Sequence, residues 1–87
     1  MDSLANERLE REFKVTEEAL KKIKIAINEN DKYYNIALKF IDTARRYYED
    51  ANYFRKNNDK ASAFGALNYA FGWIDAGKAI GFFKEKD

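Results

Sequence analysis

The chain has 87 residues, of which 46% are hydrophobic and 36% charged, and it carries a net charge of +1. This balance is too apolar for a disordered chain and fits one small domain, which we expect to span residues 1–87. The sequence has no cysteine and no histidine. This excludes disulfides, thiolate nucleophiles, imidazole bases and zinc–thiolate sites, while the nearly balanced charge argues against a nucleic-acid partner.

Two polar clusters divide the chain into three segments, at residues 28–32 and 56–60. Their asparagine, aspartate and lysine side chains are typical of turns and helix caps. Within them, Asp31 and Asp59 are placed to cap the helix that follows. Since the sequence has no proline to interrupt the segments, we predict three long helices, at residues 4–28, 32–56 and 60–84.

The first two segments each carry an apolar stripe at helical spacing. In the first segment it consists of Leu9, Phe13, Leu20, Ile23 and Ile27. In the second it steps alternately by three and four residues, through Ala37, Phe40, Ala44, Tyr47, Ala51 and Phe54. Alanine at every other step of the second stripe predicts a heptad seam against a neighbouring helix.

The third segment is apolar on nearly all sides and contains all four glycines of the chain, Gly65, Gly72, Gly77 and Gly81. A glycine inside a helix costs roughly 0.5–1 kcal/mol relative to alanine. We therefore expect these glycines to let a neighbouring helix or ring come close. The alternative is a glycine-walled slot for a ligand.

The third segment also has to be considered as a membrane span, because residues 61–83 carry only two formal charges, Asp75 and Lys78. A span of about 20 residues would place Asn68 and both charges in or near the hydrocarbon, at a cost of a few kcal/mol each. We therefore expect a buried helix and no membrane partner. The N-terminus lacks the pattern of a secretory signal, and the cysteine-free composition fits a cytoplasmic location.

Both polar breaks are short, so consecutive helices should lie antiparallel. The predicted fold is all-α, an up-down-up bundle of three long helices. We also expect a homodimer, since the aromatic residues of the third segment would otherwise form a larger exposed patch than monomers tolerate. A variant of this architecture pairs helices two and three as a hairpin and uses helix one to complete the dimer.

Two aspartates, Asp50 and Asp75, lie among aromatic and small residues. Antiparallel pairing of helices two and three sets residues whose numbers add to about 115 opposite each other, which separates the two aspartates by on the order of 15 Å. That distance excludes a paired acid and base on one bond, and a shared metal ion. Asp75 can pair with Lys78 three residues on, and we expect it to form either a salt bridge or a side-chain bond that pins a neighbouring helix. We expect Asp50 to bind a tyrosine hydroxyl or Asn68.

The densest pattern in the sequence is Tyr47-x-x-Asp50-Ala51-x-x-Phe54, followed by Asp59, Ala63-Phe64, Tyr69-Ala70-x-Gly72-Trp73-x-Asp75-Ala76-Gly77 and Gly81. Over about residues 30–83 it resembles an uncharacterised archaeal family known as domain of unknown function 357. The glycine that usually precedes the aspartate of the second turn is Asn58 here, which also tolerates a left-handed conformation. The resemblance implies a small, all-helical, cytoplasmic archaeal protein, and it implies no reaction, ligand or catalytic residue.

Two functions remain open. The first is a non-enzymatic helical interaction module that self-associates through the third helix, with a homodimer favoured and another protein as the alternative partner. The second is a small-molecule or nucleotide-binding domain with a pocket around the third helix. No catalytic residue, metal ligand or cofactor is predicted, because the glycines match no phosphate-binding pattern and no catalytic pair is well placed. The candidate site residues for either function are Asp50, Asn68, Tyr69, Gly72, Trp73, Asp75, Gly77 and Lys78.

Overall fold

The computed structural model describes residues 3–86, in which there are three helices and two short strands. The helices are α1 (Ser3–Lys22), α2 (Tyr34–Lys56) and α3 (Lys60–Ala79), and the strands are β1 (Ile23–Ile25) and β2 (Phe83–Glu85). Helices make up 75% of the described residues, and α2 packs closely against α3. The predicted bundle of three helices is therefore confirmed, with a two-stranded antiparallel ribbon added to it.

The core consists of two clusters of buried side chains that share the alanine seam of α2. Ala37, Ala44 and Ala51 are each 0% exposed, which confirms the predicted seam. The cluster that includes α1 contains Leu9, Phe13, Ala51, Ala63, Ala66 and Leu67. The cluster that includes the ribbon contains Ile23, Ala37, Ile41, Ala44, Ile74 and Phe83. Alanine at these positions lets the α2 and α3 axes come close, because the distance between packed helices follows the size of the contacting side chains.

The ribbon ties the end of α1 to the segment after α3. Two backbone hydrogen bonds extend its ladder, from the Ala26 N–H to the Phe82 carbonyl at 2.7 Å and from the Lys86 N–H to the Lys22 carbonyl at 2.6 Å. Its residue pairs are Ile23–Glu85, Lys24–Lys84 and Ile25–Phe83.

The first predicted helix, at residues 4–28, is wrong beyond Lys22, where α1 ends. The next residues form β1, because Ile23 and Ile25 alternate with the exposed Lys24. That is the period-two pattern of a strand with one buried face. Ile23 and Ile27 also fit a helical stripe, and only the pairing with β2 decides between the two interpretations.

The third predicted helix, at residues 60–84, is wrong beyond Ala79, where α3 ends. Gly81 stops the helix with a positive φ of 82°. The Phe82 N–H then donates to the Gly77 carbonyl at 2.8 Å, and the Gly81 N–H donates to the Lys78 carbonyl at 3.1 Å. These two bonds form a Schellman motif, which ends α3 and lets residues 83–85 extend as β2.

α2 ends in the same motif, with asparagine in place of glycine. Asn58 has a φ of 61°, which confirms the predicted tolerance of a left-handed conformation. Its N–H donates to the Arg55 carbonyl at 3.0 Å, and the Asp59 N–H donates to the Phe54 carbonyl at 2.9 Å. The short turn to α3 is thus set by the backbone at the end of α2.

The predicted role of Asp59 as a helix N-cap is confirmed, and the predicted role of Asp31 as an N-cap is wrong. The Asp59 carboxylate accepts a hydrogen bond from the Ser62 N–H at 3.1 Å, in the first turn of α3. The Asp31 carboxylate accepts from the Tyr33 N–H at 2.8 Å, which closes a turn ahead of the helix. As a result α2 begins at Tyr34, and the predicted range 32–56 starts two residues too early.

We expect the fold to lose stability in acid, because the pKa values of three surface carboxylates are lowered: those of Glu17 and Asp59, and that of Glu85 through a hydrogen bond from Lys78. Hydrogen bonds from Lys21 and Tyr48 lower the pKa of Glu17 from its usual 4.5, and hydrogen bonds from Ser62 lower the pKa of Asp59 from its usual 3.8. A lowered folded-state pKa stabilises the fold above the unfolded-state pKa, and this contribution is lost as the pH falls through the folded-state value. Thermal melts should show a level melting temperature between about pH 7 and pH 5, and a fall below about pH 4.

The matched control for the acid effect is Asp59→Asn. Asparagine also caps a helix but does not titrate in this range, so the fall in melting temperature below about pH 4 should be smaller than in the wild type. A wild-type melting temperature that stays level or rises below that pH would contradict the expectation.

Candidate functional site

Small residues line the exposed side of α3. They step by three or four positions through Ala61, Gly65, Asn68, Gly72, Ala76 and Ala79, and we call them the α3 outer face. Residues at these spacings share one side of a helix, so the face is continuous over about 27 Å. None of these six residues is charged, but Asp75, three positions after Gly72 and four before Ala79, is exposed at the border of the face.

Gly65 and Gly72 lie open on the α3 outer face. A Cβ atom added at either position would meet nothing within 4 Å. Within residues 3–86, therefore, no neighbouring helix or ring comes close at these two glycines, and an approach by a second molecule stays a prediction. Each still costs about 0.5–1 kcal/mol of helix stability relative to alanine, and no contact within residues 3–86 accounts for it.

A hollow of about 390 Å³ lies between α2 and α3, and is lined by Tyr47, Asn68, Tyr69, Gly72, Trp73 and Ala76. The rings of Tyr47 and Tyr69 are stacked, with centroids 5.1 Å apart and 19° between their planes. The ring of Trp73 meets Phe40 edge-on at 4.9 Å. Both pairs lie at the predicted antiparallel register, which is therefore confirmed. Tyr69 remains 63% exposed, so a large part of the stack faces solvent.

A second hollow, of about 460 Å³, lies between α1 and α3, and is lined by Leu4, Ala5, Arg8, Glu12, Phe64 and Asn68. Asn68 borders both hollows, so they form one continuous surface with the α3 outer face. The α1 residues of this hollow were not predicted from the sequence, because the apolar stripe of that segment begins at Leu9. Leu4 could have indicated them, since it is a large apolar residue outside the stripe, and in the structure it is 79% exposed.

Four of the eight predicted site residues meet on this surface, namely Asn68, Tyr69, Gly72 and Trp73. Tyr47 joins them, although it was predicted only as part of the motif and the seam. Tyr47 could have been predicted as a site residue from its position opposite Tyr69 in the antiparallel register.

Asp50 lies apart from this surface, in a separate hollow of about 240 Å³ with Thr43, Arg46 and Tyr47. The hydrogen bond predicted from Asp50 to a tyrosine hydroxyl or to Asn68 is wrong, since residues 3–86 contain neither bond. The bond does not form because the Asp50 side chain is exposed on α2. The hydroxyl of the neighbouring Tyr48 donates instead to Glu17, at 3.2 Å.

The remaining predicted residues lie near the end of α3. Asp75 is exposed beside the outer face, and the predicted Asp75–Lys78 pair is wrong. The Lys78 Nζ instead lies 3.0 Å from Glu85 Oε1, because β2 folds back along α3. Gly77 is buried against Phe83, and a Cβ atom there would overlap the Phe83 ring. The predicted close approach is confirmed at this glycine, and the approaching group is a ring of the ribbon.

The chemistry of the described residues is limited. Residues 3–86 contain no group of three or more aspartate or glutamate side chains placed to hold a metal ion. In the same range, every buried side-chain nitrogen or oxygen has a hydrogen-bond partner. No helix in this part of the chain has the length and apolar character needed to cross a membrane. What the surface offers is shape and aromatic area.

The chain was compared with known proteins and families. The profile of a family described as "Protein of unknown function (DUF357)" matches residues 11–83. No curated protein and no solved structure matches the chain. The matched range includes α2, α3 and all of the α3 outer face.

Proposed function

We propose that this chain, which belongs to the DUF357 family, is a small helical interaction module that pairs with a second copy of itself through the α3 outer face. The observation that carries the proposal is the pair of open helix glycines, Gly65 and Gly72. Their cost to the isolated chain has no compensation within it. A second helix lying on this face would come closer because both side chains are missing, since glycine permits close backbone approach.

The shape of the molecule supports a partner. Its accessible surface is 6069 Å², against about 5,300 Å² expected for a folded monomer of 10.2 kDa. Its radius of gyration is 14.2 Å, against about 12 Å for a compact domain of this length. The excess surface of about 750 Å² is close to the roughly 800 Å² that each partner buries in a stable complex.

Charge favours a second copy as the partner. The six residues of the α3 outer face carry no charge, so two copies can meet on them without burying an unpaired charge, provided that Asp75 at the border finds a positive group. In an antiparallel crossing centred on Asn68, Asp75 of each copy lies near the first turn of α3 in the other. The Ser62 N–H of that turn is already bound by the Asp59 carboxylate, so the group that attracts Asp75 there is the ammonium of Lys60. Tyr69 and Trp73 flank the crossing and add the aromatic contacts typical of interfaces.

The proposal is tested by the mass of the protein in solution. Sedimentation velocity over a concentration series should give twice the chain mass of 10.2 kDa at the higher concentrations. A single species of 10.2 kDa at every concentration up to about 1 mM would overturn the proposal.

We expect Asp75→Lys to raise the dissociation constant of the dimer about tenfold, because it replaces attraction to Lys60 by repulsion at two symmetric places. The matched control is Asp50→Lys, which makes the same charge change at an exposed aspartate away from the α3 outer face. Sedimentation equilibrium measures both constants. Equal effects of the two substitutions would show that Asp75 acts only through net charge.

A small-molecule site is the second candidate function, and the hollow between α2 and α3 favours it. Its volume of about 390 Å³ lies within the range of ligand pockets, and Asn68 supplies a polar group among the rings. Native mass spectrometry of gently purified protein distinguishes the two functions. An adduct that disappears in Trp73→Ala supports the ligand site, and a clean dimer without an adduct supports the interaction module. The expectations of no enzymatic activity, no cofactor, a cytoplasmic location and an archaeal source stay predictions.

A further inference from the structure

The ribbon gathers four lysines that are distant in the sequence. Lys24 lies opposite Lys84 in the strand register. The Lys86 N–H donates to the Lys22 carbonyl in the next step of the same ladder. Lys24 and Lys84 are exposed on the side of the ribbon away from the buried Ile23 and Phe83, and Lys22, the last residue of α1, and Lys86, which follows β2, form the next exposed pair beside them. We call these four lysines the ribbon lysine face.

Within residues 3–86 the four lysines find little charge compensation: the pKa of Glu85 is lowered mainly by its hydrogen bond from Lys78, and Lys22 contributes least to that shift. All four lysines are exposed, and within residues 3–86 none of them forms an ion pair. The acidic residue of the ribbon, Glu85, is already paired with Lys78 at 3.0 Å. Like charges directly opposite each other destabilise a strand pair, so a neutral or mixed-charge face would suit the ribbon better.

We propose that the ribbon lysine face binds the phosphate backbone of a single-stranded nucleic acid. Neighbouring positions on the face are about 5 Å apart across the ribbon and about 7 Å apart along it. This patch covers successive phosphates of one strand and does not reach across a duplex major groove about 12 Å wide. Each lysine ammonium binds a phosphate as a compact point charge.

An exposed aromatic residue beside the ribbon extends the site. Tyr33 is 46% exposed, and its ring lies 6.4 Å from that of Phe82, which immediately precedes β2. The Nζ of Lys32 lies 5.1 Å from the centre of the Tyr33 ring. An exposed ring next to a row of cations is the arrangement on which unpaired bases stack.

A lipid surface fits the ribbon less well than a nucleic acid. Proteins that bind at a membrane surface bury apolar side chains among the lipids. The apolar ribbon residues Ile23 and Phe83 are each only 4% exposed, because they are part of the core. The ribbon therefore offers charge without an apolar group to insert.

The salt dependence of binding tests the proposal. Fluorescence anisotropy with a labelled oligothymidine should give a plot of log K against log salt with a slope of about −2.8, since each phosphate contact on a single strand contributes about −0.7. Lys24→Gln/Lys84→Gln should halve that slope and weaken binding at least about tenfold at low salt. Circular dichroism melts establish that this variant is folded.

The matched control is Lys14→Gln/Lys39→Gln, which removes the same charge from two exposed lysines on α1 and α2. It should leave slope and affinity unchanged. Equal losses in the two double variants would overturn the proposal, as would a wild-type protein without salt-dependent binding. Binding to phosphatidylserine vesicles that requires Lys24 and Lys84, without binding to the oligonucleotide, would overturn it in favour of a membrane.

Lys84→Glu separates binding from folding. It sets an opposite charge across from Lys24, so we expect a higher melting temperature together with the loss of oligonucleotide binding. A variant that keeps the wild-type affinity would overturn the proposal, whatever its melting temperature.

Discussion

Replacing Gly77 with leucine is expected to lower the free energy of unfolding by about 3 kcal/mol and the melting temperature by roughly 15 °C. Even the Cβ atom of the new side chain would overlap the ring of Phe83. That ring is 4% exposed and belongs to the core cluster with Ile23 and Ile74, so it cannot move aside without leaving the core. Urea denaturation followed by far-ultraviolet circular dichroism measures the loss.

The same substitution at Gly72 is the matched control, because it lies in the same helix and a Cβ atom there meets nothing within 4 Å. A second control, Gly77→Leu/Phe83→Leu, makes the side chain opposite Gly77 smaller and should recover part of the lost stability, because the two positions are in direct contact. If Gly77→Leu and Gly72→Leu had the same stability, the packing of Phe83 on Gly77 would not be what holds the ribbon to α3.

Replacing Gly72 with leucine is expected to leave the chain folded and to abolish its self-association. Within the chain the new side chain meets no neighbour, and leucine favours a helix over glycine by roughly 0.5–1 kcal/mol. On the α3 outer face it stands where a second helix would have to lie, so the dissociation constant should rise at least about a hundredfold, equivalent to about 2.8 kcal/mol. Sedimentation velocity measures the change.

Val15→Leu serves as the control for this loss of assembly. It enlarges an apolar side chain that is 45% exposed on α1 and is not among the residues of the α3 outer face or its two hollows. Its dissociation constant should match that of the wild type. A Gly72→Leu protein that associates as tightly as the wild type would remove the α3 outer face from consideration as the interface.

The helices and their pairing could be predicted from the sequence, because they depend on local properties. The alanine seam of α2 follows from a repeat that any helix would bury on one side. The helix cap at Asp59 depends on residues no more than three positions apart. The stack of Tyr47 on Tyr69 follows from the length of the turn between α2 and α3, since a short connection leaves only an antiparallel register.

The candidate site could be predicted only in part. The aromatic and small residues of α3 were identified because they repeat along one helix. The exposed orientation of Asp50 could not be deduced, since it depends on where α2 turns its polar side. The partner of Lys78 could not be deduced either, because Glu85 reaches it only after the chain reverses at Gly81.

The sequence by itself determined two amphipathic segments, a third that is apolar on nearly all sides, two breaks and an α2–α3 hairpin. Only the tertiary structure decided where α1 and α3 end and that the residues after them pair as two strands. Each strand has three residues, too few for a period of two to stand out against a helical stripe. Their pairing joins segments about 60 residues apart, where no local preference acts. That one long-range contact sets the role of Gly77 and brings together the lysines of the ribbon.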